Sequence, residues 1–278
     1  MKTIKEMTGE LNLKYSELAS KIILSAGLFL LLVFSSYLML MTVSFVVAQI
    51  FSGVFAVMMS FLLMLFVYSL VFVFHYGFII LLLRLERKMS ASLGYLFLGF
   101  KHKRISTLVC LFTVFLVVCI AVSSIPLFLS IDFSTQESMM QIFKDMLKLT
   151  LVLKLVAAIF FLCFLIFFFP CVFVWSVVYD NSDITGMKAV SKSARMLKGH
   201  FFNFLLFELN VNKTSIFVLL GIELIKDFFS FVVKKDLGMF FNYILSFVNF
   251  ICVILLFTKG SFAIPFYYNK LCGQNNQQ

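Results

Sequence analysis

Residues Ile22–Leu83 read IILSAGLFLLLVFSSYLMLMTVSFVVAQIFSGVFAVMMSFLLMLFVYSLVFVFHYGFIILLL and contain no aspartate, glutamate, lysine or arginine. One helix needs about 20 apolar residues to cross the hydrocarbon core of a bilayer, so this run is long enough for two helices. Its most polar and flexible point is Gln49–Gly53, where we expect a turn. The run therefore predicts a helical hairpin that crosses a membrane twice.

The composition of the whole chain also indicates a membrane environment. Of its 278 residues, 62% are hydrophobic and 13% are charged, whereas a soluble domain is about half apolar and a quarter charged. The chain has too few polar residues to cover a water-facing globule, and it does not have the composition of a disordered protein. Basic loops beside membrane spans explain the net charge of +10, so we predict no nucleic-acid partner.

Further apolar runs follow the first pair of spans. The third span is predicted at about 105–130, the fourth at 151–179 and the sixth at 239–268. The fifth run begins at Phe201 and is interrupted by polar residues. It is either one helix with a polar seam or a broken helix with an amphipathic second half. The fold class is therefore predicted to be all-α, a polytopic transmembrane helix bundle of about six spans with interfacial amphipathic helices.

We interpret residues 1–278 as a single membrane domain. Its predicted parts are a cytoplasmic N-terminal segment (1–21), the helical hairpin (22–83), spans three and four (105–179), a cytoplasmic amphipathic helix (180–200), spans five and six (201–268) and a C-terminal tail (269–278). A second interfacial helix is predicted within 132–150, because apolar residues recur there at helical spacing.

The positions of lysine and arginine predict the orientation. With six spans, the N-terminus, Arg84–Arg104, Asp180–Gly199 and the C-terminus lie on one side of the membrane, and together they carry 15 basic residues. The loops on the opposite side carry 5. Because lysine and arginine accumulate in cytoplasmic loops, both termini are predicted to be cytoplasmic.

The segment Ile184–His200 has the pattern of an amphipathic helix. The predicted apolar stripe consists of Met187, Val190, Ala194 and Leu197, and the basic face consists of Lys188, Lys192 and Arg195. Such a helix either lies on the membrane with its basic face on anionic lipid head groups, or it forms a docking surface for a membrane-protein partner. The sequence leaves both interpretations open.

Polar residues inside the fifth apolar run form a candidate intramembrane polar site. Glu208, Asn212 and Lys213 lie where an unpaired charge is unfavourable in hydrocarbon, and ionisable residues inside a membrane are candidates for function. Alternatively, the fifth span bends to the interface there and these side chains contact water. His75 stands alone in an apolar run, which is typical of a hydrogen-bonded core residue.

Familiar catalytic and metal-binding patterns are absent from the sequence. It contains no H-E-x-x-H, G-x-S-x-G or Walker A motif. None of the six cysteines forms a C-x-x-C pair, and the three histidines are far apart in the chain. We therefore predict no catalytic, cofactor-binding or metal-binding residues and expect a protein that is not an enzyme.

Three stretches carry a resemblance to a known family. They are Gly77–Lys101, Phe169–His200 and Ile264–Leu271, and the most specific element is Ser193-x-x-Met196-x-Lys198-Gly199-His200. Over about 77–271 the chain resembles the domain of unknown function 975 family, which consists of bacterial membrane proteins. The resemblance implies a multi-spanning protein of the bacterial cytoplasmic (inner) membrane, and it implies no activity because the family has none assigned.

The chain departs from the family pattern in two places. Cys171 follows Pro170 where glycine is usual, and the region 208–238 is longer and more charged. The elements that match cluster on the predicted cytoplasmic side. The candidate functional face there consists of Gly99, Phe100, Ser193, Lys198, Gly199 and His200.

From these observations we expect a non-enzymatic accessory or scaffold component of the bacterial envelope. Its expected partners are membrane lipids, through anionic head groups at the cytoplasmic face, and a further membrane protein. The alternative is a transporter of a lipid or a small hydrophobic solute, because transporter sites often lie at broken helices near the middle of the membrane.

Overall fold

The computed structural model describes residues 3–51, 53–102, 105–130, 155–156, 158–159, 171–181, 183–184, 186–232 and 235–275. Within these ranges the regular elements are all helical, as predicted. They are α1 (Ile4–Ile50), α2 (Gly53–Glu86), a 3-10 helix (Leu93–Phe97), α3 (Leu98–Lys101), α4 (Ser106–Ser130), α5 (Val174–Asp180), α6 (Gly186–Leu197), α7 (Phe201–Val232) and α8 (Lys235–Asn275). The predicted surface helix at 132–150 and most of the fourth span lie outside the described residues.

Several of these helices are long and apolar enough to cross a bilayer. Within the described residues there are four such stretches, at Ile4–Val47, Met58–Glu86, Phe201–Ile222 and Leu245–Gly273. Their outer surfaces are apolar; for example, Met41 is 71% exposed and Phe217 is 73% exposed. Water-soluble proteins rarely expose large apolar patches, so these surfaces fit a lipid environment. The chain is an integral membrane protein built as a helical bundle.

The first helix begins at a capping box and continues for 47 residues. The hydroxyl of Thr3 accepts a hydrogen bond from the Glu6 N–H, and the Glu6 carboxylate accepts one from the Thr3 N–H. At 1.5 Å per residue the helix is about 70 Å long, more than twice the ~30 Å hydrocarbon core. The predicted N-terminal segment 1–21 is therefore not separate from the first span, because from Ile4 onwards it is part of α1.

The polar start of α1 is held in the bundle by buried apolar residues. Met7 and Leu11 are one helical turn apart and are 5% and 0% exposed. Hydrogen bonds to the last two helices accompany them. Asn210 of α7 donates to Thr8, and Lys270 of α8 donates to Glu10. The hydroxyl of Tyr15 bonds that of Thr258 on α8. This part of the chain looked like a free polar segment because its apolar residues are few.

The chain reverses between the end of α1 at Ile50 and the start of α2 at Gly53, inside the predicted turn. The second half of α2 then forms the centre of the bundle, and every side chain from Phe78 to Leu83 is buried. Gly77 makes this packing close, because a Cβ there would lie 2.5 Å from the carbonyl oxygen of Tyr95 in the 3-10 helix. Only glycine fits at this contact without a shift of the backbone.

The fifth apolar run is one continuous helix. α7 extends from Phe201 to Val232 without a break at Glu208, so the broken-helix alternative is wrong. It packs antiparallel to α8 through aromatic rings. The ring of Phe204 lies 5.1 Å from that of Tyr267, and Phe207 stacks on Phe266 at 6.0 Å.

The amphipathic helix α6 buries only part of the predicted apolar stripe: Leu197 is buried, whereas Val190 and Ala194 are partly buried. Its buried residues are Gly186, Ala189, Ser193 and Leu197. Met187, which we placed in the apolar stripe, is 64% exposed. The prediction for Met187 was wrong because it ranked residues by hydrophobicity, whereas the close packing of α6 against α5 selects small side chains. The basic face was placed correctly in part, since Lys188 and Arg195 are exposed.

Candidate functional site

A network of polar side chains joins four helices at one end of the bundle. Its centre is Arg87, the residue after α2. The Nη1 and Nη2 atoms of Arg87 donate to Oδ1 and Oδ2 of Asp180 at 2.7 and 2.6 Å. Its Nε and Nη2 atoms also donate to Oδ1 of Asn269, at 3.0 and 2.8 Å. A planar guanidinium can bind two acceptors in this way because its donors have a fixed fork geometry.

Glu86 extends the network to α1. The side chain of Glu86 is nearly buried, and each carboxylate oxygen has a partner. Lys14 Nζ donates to Oε1 at 2.6 Å, and the Asn269 amide donates to Oε2. A buried charge is tolerated when it is paired and its remaining lone pairs are hydrogen-bonded. The contacts thus run without interruption from α1 through α2 and α8 to α5.

Tyrosine side chains contact Asp180 and the neighbouring Arg84. The hydroxyl of Tyr268 donates to Oδ2 of Asp180 at 3.0 Å. Arg84 donates to the hydroxyl of Tyr179 at 2.8 Å, and its guanidinium lies 4.6 Å from the centre of the Tyr95 ring. Hydrogen bonding to Asp180 raises the pKa of Arg87 above its ordinary value. The guanidinium therefore stays charged under any condition in which the protein is folded.

Sequence analysis did not identify this network. Arg84 and Arg87 were assigned to a basic cytoplasmic segment and were not predicted to contact other helices. One signal could have found the network: Arg87, Asp180 and Asn269 fall in the first, second and third stretch that carry the family resemblance. Three distant stretches that share one resemblance can meet in space, and here they do.

Two residues of the predicted functional face are buried and position helices. Ser193 Oγ accepts a hydrogen bond of 3.2 Å from the N–H of Phe173, the residue before α5. N–H groups at the start of a helix have no carbonyl partner within the helix. The hydroxyl of Ser193 takes the place of that carbonyl as the acceptor. Gly99 lies against α2, because a Cβ there would be 2.6 Å from the carbonyl oxygen of Val73.

The other four residues of the predicted face lie nearer the surface. Phe100, Lys198 and Gly199 are exposed, and His200 is partly exposed. Gly199 has a φ of 83°, a left-handed conformation that favours glycine, and it turns the chain from α6 into α7. Phe100 belongs to α3, where its ring lies 5.6 Å from that of Phe74. The face is thus divided between residues of α3 and the turn after α6.

Two of the three residues predicted for the intramembrane polar site lie together between α7 and α8. The side-chain amide of Asn212 donates to Oε2 and to the backbone oxygen of Glu208, at 3.2 and 3.1 Å. Gly260 of α8 leaves room for the pair, since a Cβ there would be 3.2 Å from Asn212 Nδ2. Lys213 is exposed and does not take part.

This pair presents two oxygen atoms without partners. Glu208 Oε1 and Asn212 Oδ1 are buried, and neither has a hydrogen bond within the described part of the chain. Nearly all buried polar atoms in proteins are hydrogen-bonded, so each exception requires an explanation. The two oxygens can take up a proton, coordinate a cation or accept hydrogen bonds from a polar group of a ligand.

His75 has the role that its isolated position predicts. Its Nδ1 accepts a hydrogen bond of 3.1 Å from Nε1 of Trp175, so the prediction of a hydrogen-bonded side chain is confirmed. Among the described residues, no three histidine, cysteine, aspartate or glutamate side chains are grouped as metal ligands.

Fold and site together define an integral helical membrane protein that contains an interhelical ion-pair network and an intramembrane polar pair. Comparisons with protein-family models, curated proteins and solved structures gave no match for this chain. The resemblance described above therefore stays a prediction.

Removal of the central arginine tests the network. Arg87→Ala should lower the free energy of unfolding by roughly 1–2 kcal/mol, because it removes a partly exposed bidentate ion pair with Asp180 and the hydrogen bonds to Asn269. Arg87→Lys should recover only part of the loss, since an ammonium group cannot reproduce the fork that binds Asp180 and Asn269. Unfolding in detergent micelles by denaturant titration measures both effects.

Lys198→Ala is the matched control, because it removes an exposed basic side chain near the same end. It should change the free energy of unfolding by no more than about 0.5 kcal/mol. If Arg87→Ala proved as mild as this control, the network would not contribute to stability.

Proposed function

We propose that this chain is a non-enzymatic accessory or scaffold component of the bacterial cytoplasmic membrane. The observation that carries the proposal is the attachment of α6. Its small residues are buried against the bundle, and Lys188, Arg195 and the following Lys198 are exposed. A basic surface on a rigid base suits anionic lipid head groups or an acidic surface of a membrane-protein partner.

The proposal includes six spans with both termini in the cytoplasm. Four candidate spans and the apolar helix Ser106–Val118 support five of these, and the apolar run at 151–179 supplies the remaining one. The excess of lysine and arginine in the segments that would share one side supports the orientation. Membership of the domain of unknown function 975 family is likewise proposed, on the three stretches that resemble it.

Site-specific photocrosslinking in cells tests the partner surface. A photoreactive amino acid at Met187, which is exposed on α6, should crosslink to one membrane protein in stoichiometric amount. The same probe at Phe217, which is exposed on a candidate span, should capture only lipid. The products are purified in mild detergent and identified by mass spectrometry.

The charge requirement supplies the control. The double substitution Arg195→Gln and Lys198→Gln should reduce the Met187 crosslink about tenfold, a loss of about 1.4 kcal/mol of binding free energy. Lys5→Gln, which removes an exposed lysine at the start of α1, should leave it unchanged. Identical products from Met187 and Phe217 would contradict the proposal of a docking surface on α6.

The second candidate function is transport of a lipid or a small hydrophobic solute. It is favoured by the pair Glu208 and Asn212, whose two buried oxygens have no partner among the described residues. Buried ionisable groups in membrane helices often mark substrate or proton pathways. Buried oxygens without hydrogen bonds destabilise the folded protein. A role in transport would explain why the chain keeps them.

A volume-conserving substitution separates the two explanations of this pair. Glu208→Met should keep or raise the melting temperature, because replacing an incompletely bonded buried carboxyl by an apolar side chain is often neutral or stabilising. It should abolish transport of a fluorescent phospholipid across proteoliposomes if the wild-type chain shows such transport. Lys213→Met, on the exposed neighbour, should change neither quantity. A clear loss of stability in Glu208→Met would make the carboxyl a structural group.

A further inference from the structure

A groove lies between α2 and α4 and is closed at one end by α3. Its volume is about 440 Å³, within the usual range of about 300–1,000 Å³ for ligand sites. Its walls run from Leu65 to Val73 on α2 and from Ser106 to Val114 on α4. Eight residues of helix correspond to about 12 Å, so the groove is elongated along the helices.

The floor of the groove presents an apolar surface to a ligand. Val73, Ile105 and Val109 contribute aliphatic side chains to it. Two of the three hydroxyl groups that line the groove bond within the protein along its length: Ser69 and Thr113 contact each other at 3.2 Å, and each donates to a backbone oxygen of its own helix. These hydroxyls require no ligand, so the floor suits a chain of methylene groups.

The groove opens towards surface that is itself apolar. Cys110 and Val114 form its mouth on α4 and are exposed. Beside the mouth, Phe66 of α2 is 51% exposed and Val118 of α4 is 50% exposed. In an integral membrane protein such a surface contacts lipid, so the molecules that meet the groove are membrane lipids.

One end of the groove is polar and basic. Phe100 and His102 line this end, and between them Lys101 is exposed. His102 is held in place by a hydrogen bond of 2.9 Å between its Nδ1 and the hydroxyl of Tyr76. An exposed basic residue next in sequence to the residues that line the end of an apolar groove is complementary to a lipid with a negative head group.

We propose that this groove binds one acyl chain of an anionic phospholipid whose phosphate group contacts Lys101. The inference deepens the proposed function, on which it rests, because it names one site for the anionic lipids expected at that end of the bundle. The acyl chain would lie along Val73 and Val109, and the head group would lie beside α3.

Native mass spectrometry of the full chain measures this binding. The protein is reconstituted in nanodiscs of phosphatidylglycerol and phosphatidylcholine in equal amounts, and the lipids retained on release are counted. The wild-type chain should retain one phosphatidylglycerol in preference to phosphatidylcholine. Val114→Phe, which fills the exposed mouth of the groove, should reduce this retention about tenfold, or about 1.4 kcal/mol.

Two variants control for general effects on the membrane surface. Val118→Phe adds the same ring to an equally exposed position one turn along α4 that does not line the groove, and it should retain the lipid like the wild type. Lys101→Gln should abolish the preference for phosphatidylglycerol, whereas Lys188→Gln, on the exposed face of α6, should preserve it.

An independent measurement uses the thiol at the mouth. Alkylation of Cys110 by a membrane-permeant maleimide should be slow in nanodiscs and become several-fold faster after delipidation in detergent, as read by peptide mass spectrometry. Cys252, which is partly exposed on α8, reports any general change in reactivity. On delipidation, the alkylation rate of Cys252 should rise by a clearly smaller factor than that of Cys110.

The inference is overturned if Val114→Phe retains as much lipid as the wild type or if Val118→Phe loses as much as Val114→Phe. Equal retention of the two lipids by the wild-type chain would overturn the assignment of the head group to Lys101. These results are distinct from a failure of the proposed function, because nanodiscs have two identical leaflets and contain no protein partner. A wrong orientation or an absent partner would leave them unchanged.

Discussion

The ion pair between Arg87 and Asp180 is the interaction on which one end of the bundle depends. Each helix that meets there carries polar atoms that would be unfavourable in an apolar interior if they were unpaired. The guanidinium bonds Asp180 and Asn269, and Asn269 in turn bonds Glu86, which pairs with Lys14. The helices α1, α2, α5 and α8 are thereby held in one arrangement, from which the exposed face of α6 is presented.

The sequence predicted the helical bundle well because the bilayer imposes strong constraints. Backbone groups in hydrocarbon must be bonded within the chain, so long apolar runs become helices. The turn after Gln49 could be located because it is the most polar and flexible point of the first apolar run. The polar start of α1 could not be predicted, since Met7 and Leu11 show their importance only when other helices cover them. The buried stripe of α6 was missed in part because close packing favours Gly186 and Ser193 over the more hydrophobic Met187.

The two candidate sites differ in what the sequence could reveal. Glu208 and Asn212 stand out because they interrupt an apolar run, and they pair within a single helical turn. The network around Arg87 could not be predicted from residue spacing, because its partners Asp180 and Asn269 are 93 and 182 residues away. Sequence spacing carries no information on such contacts. The groove beside α3 could not be predicted from spacing either, because its walls come from α2 and α4, which come together only in the folded protein.

The central claim is that the polar contacts at this end act as one unit. A double-mutant cycle between its two ends, Lys14→Met and Asp180→Asn, measures this most directly, because the chain of hydrogen bonds between these residues runs through Glu86, Asn269 and Arg87. Free energies of unfolding for the two single variants and the double variant give the coupling. The account predicts a coupling of at least about 0.5 kcal/mol. Additivity within roughly 0.3 kcal/mol, as expected for independent sites, would contradict it.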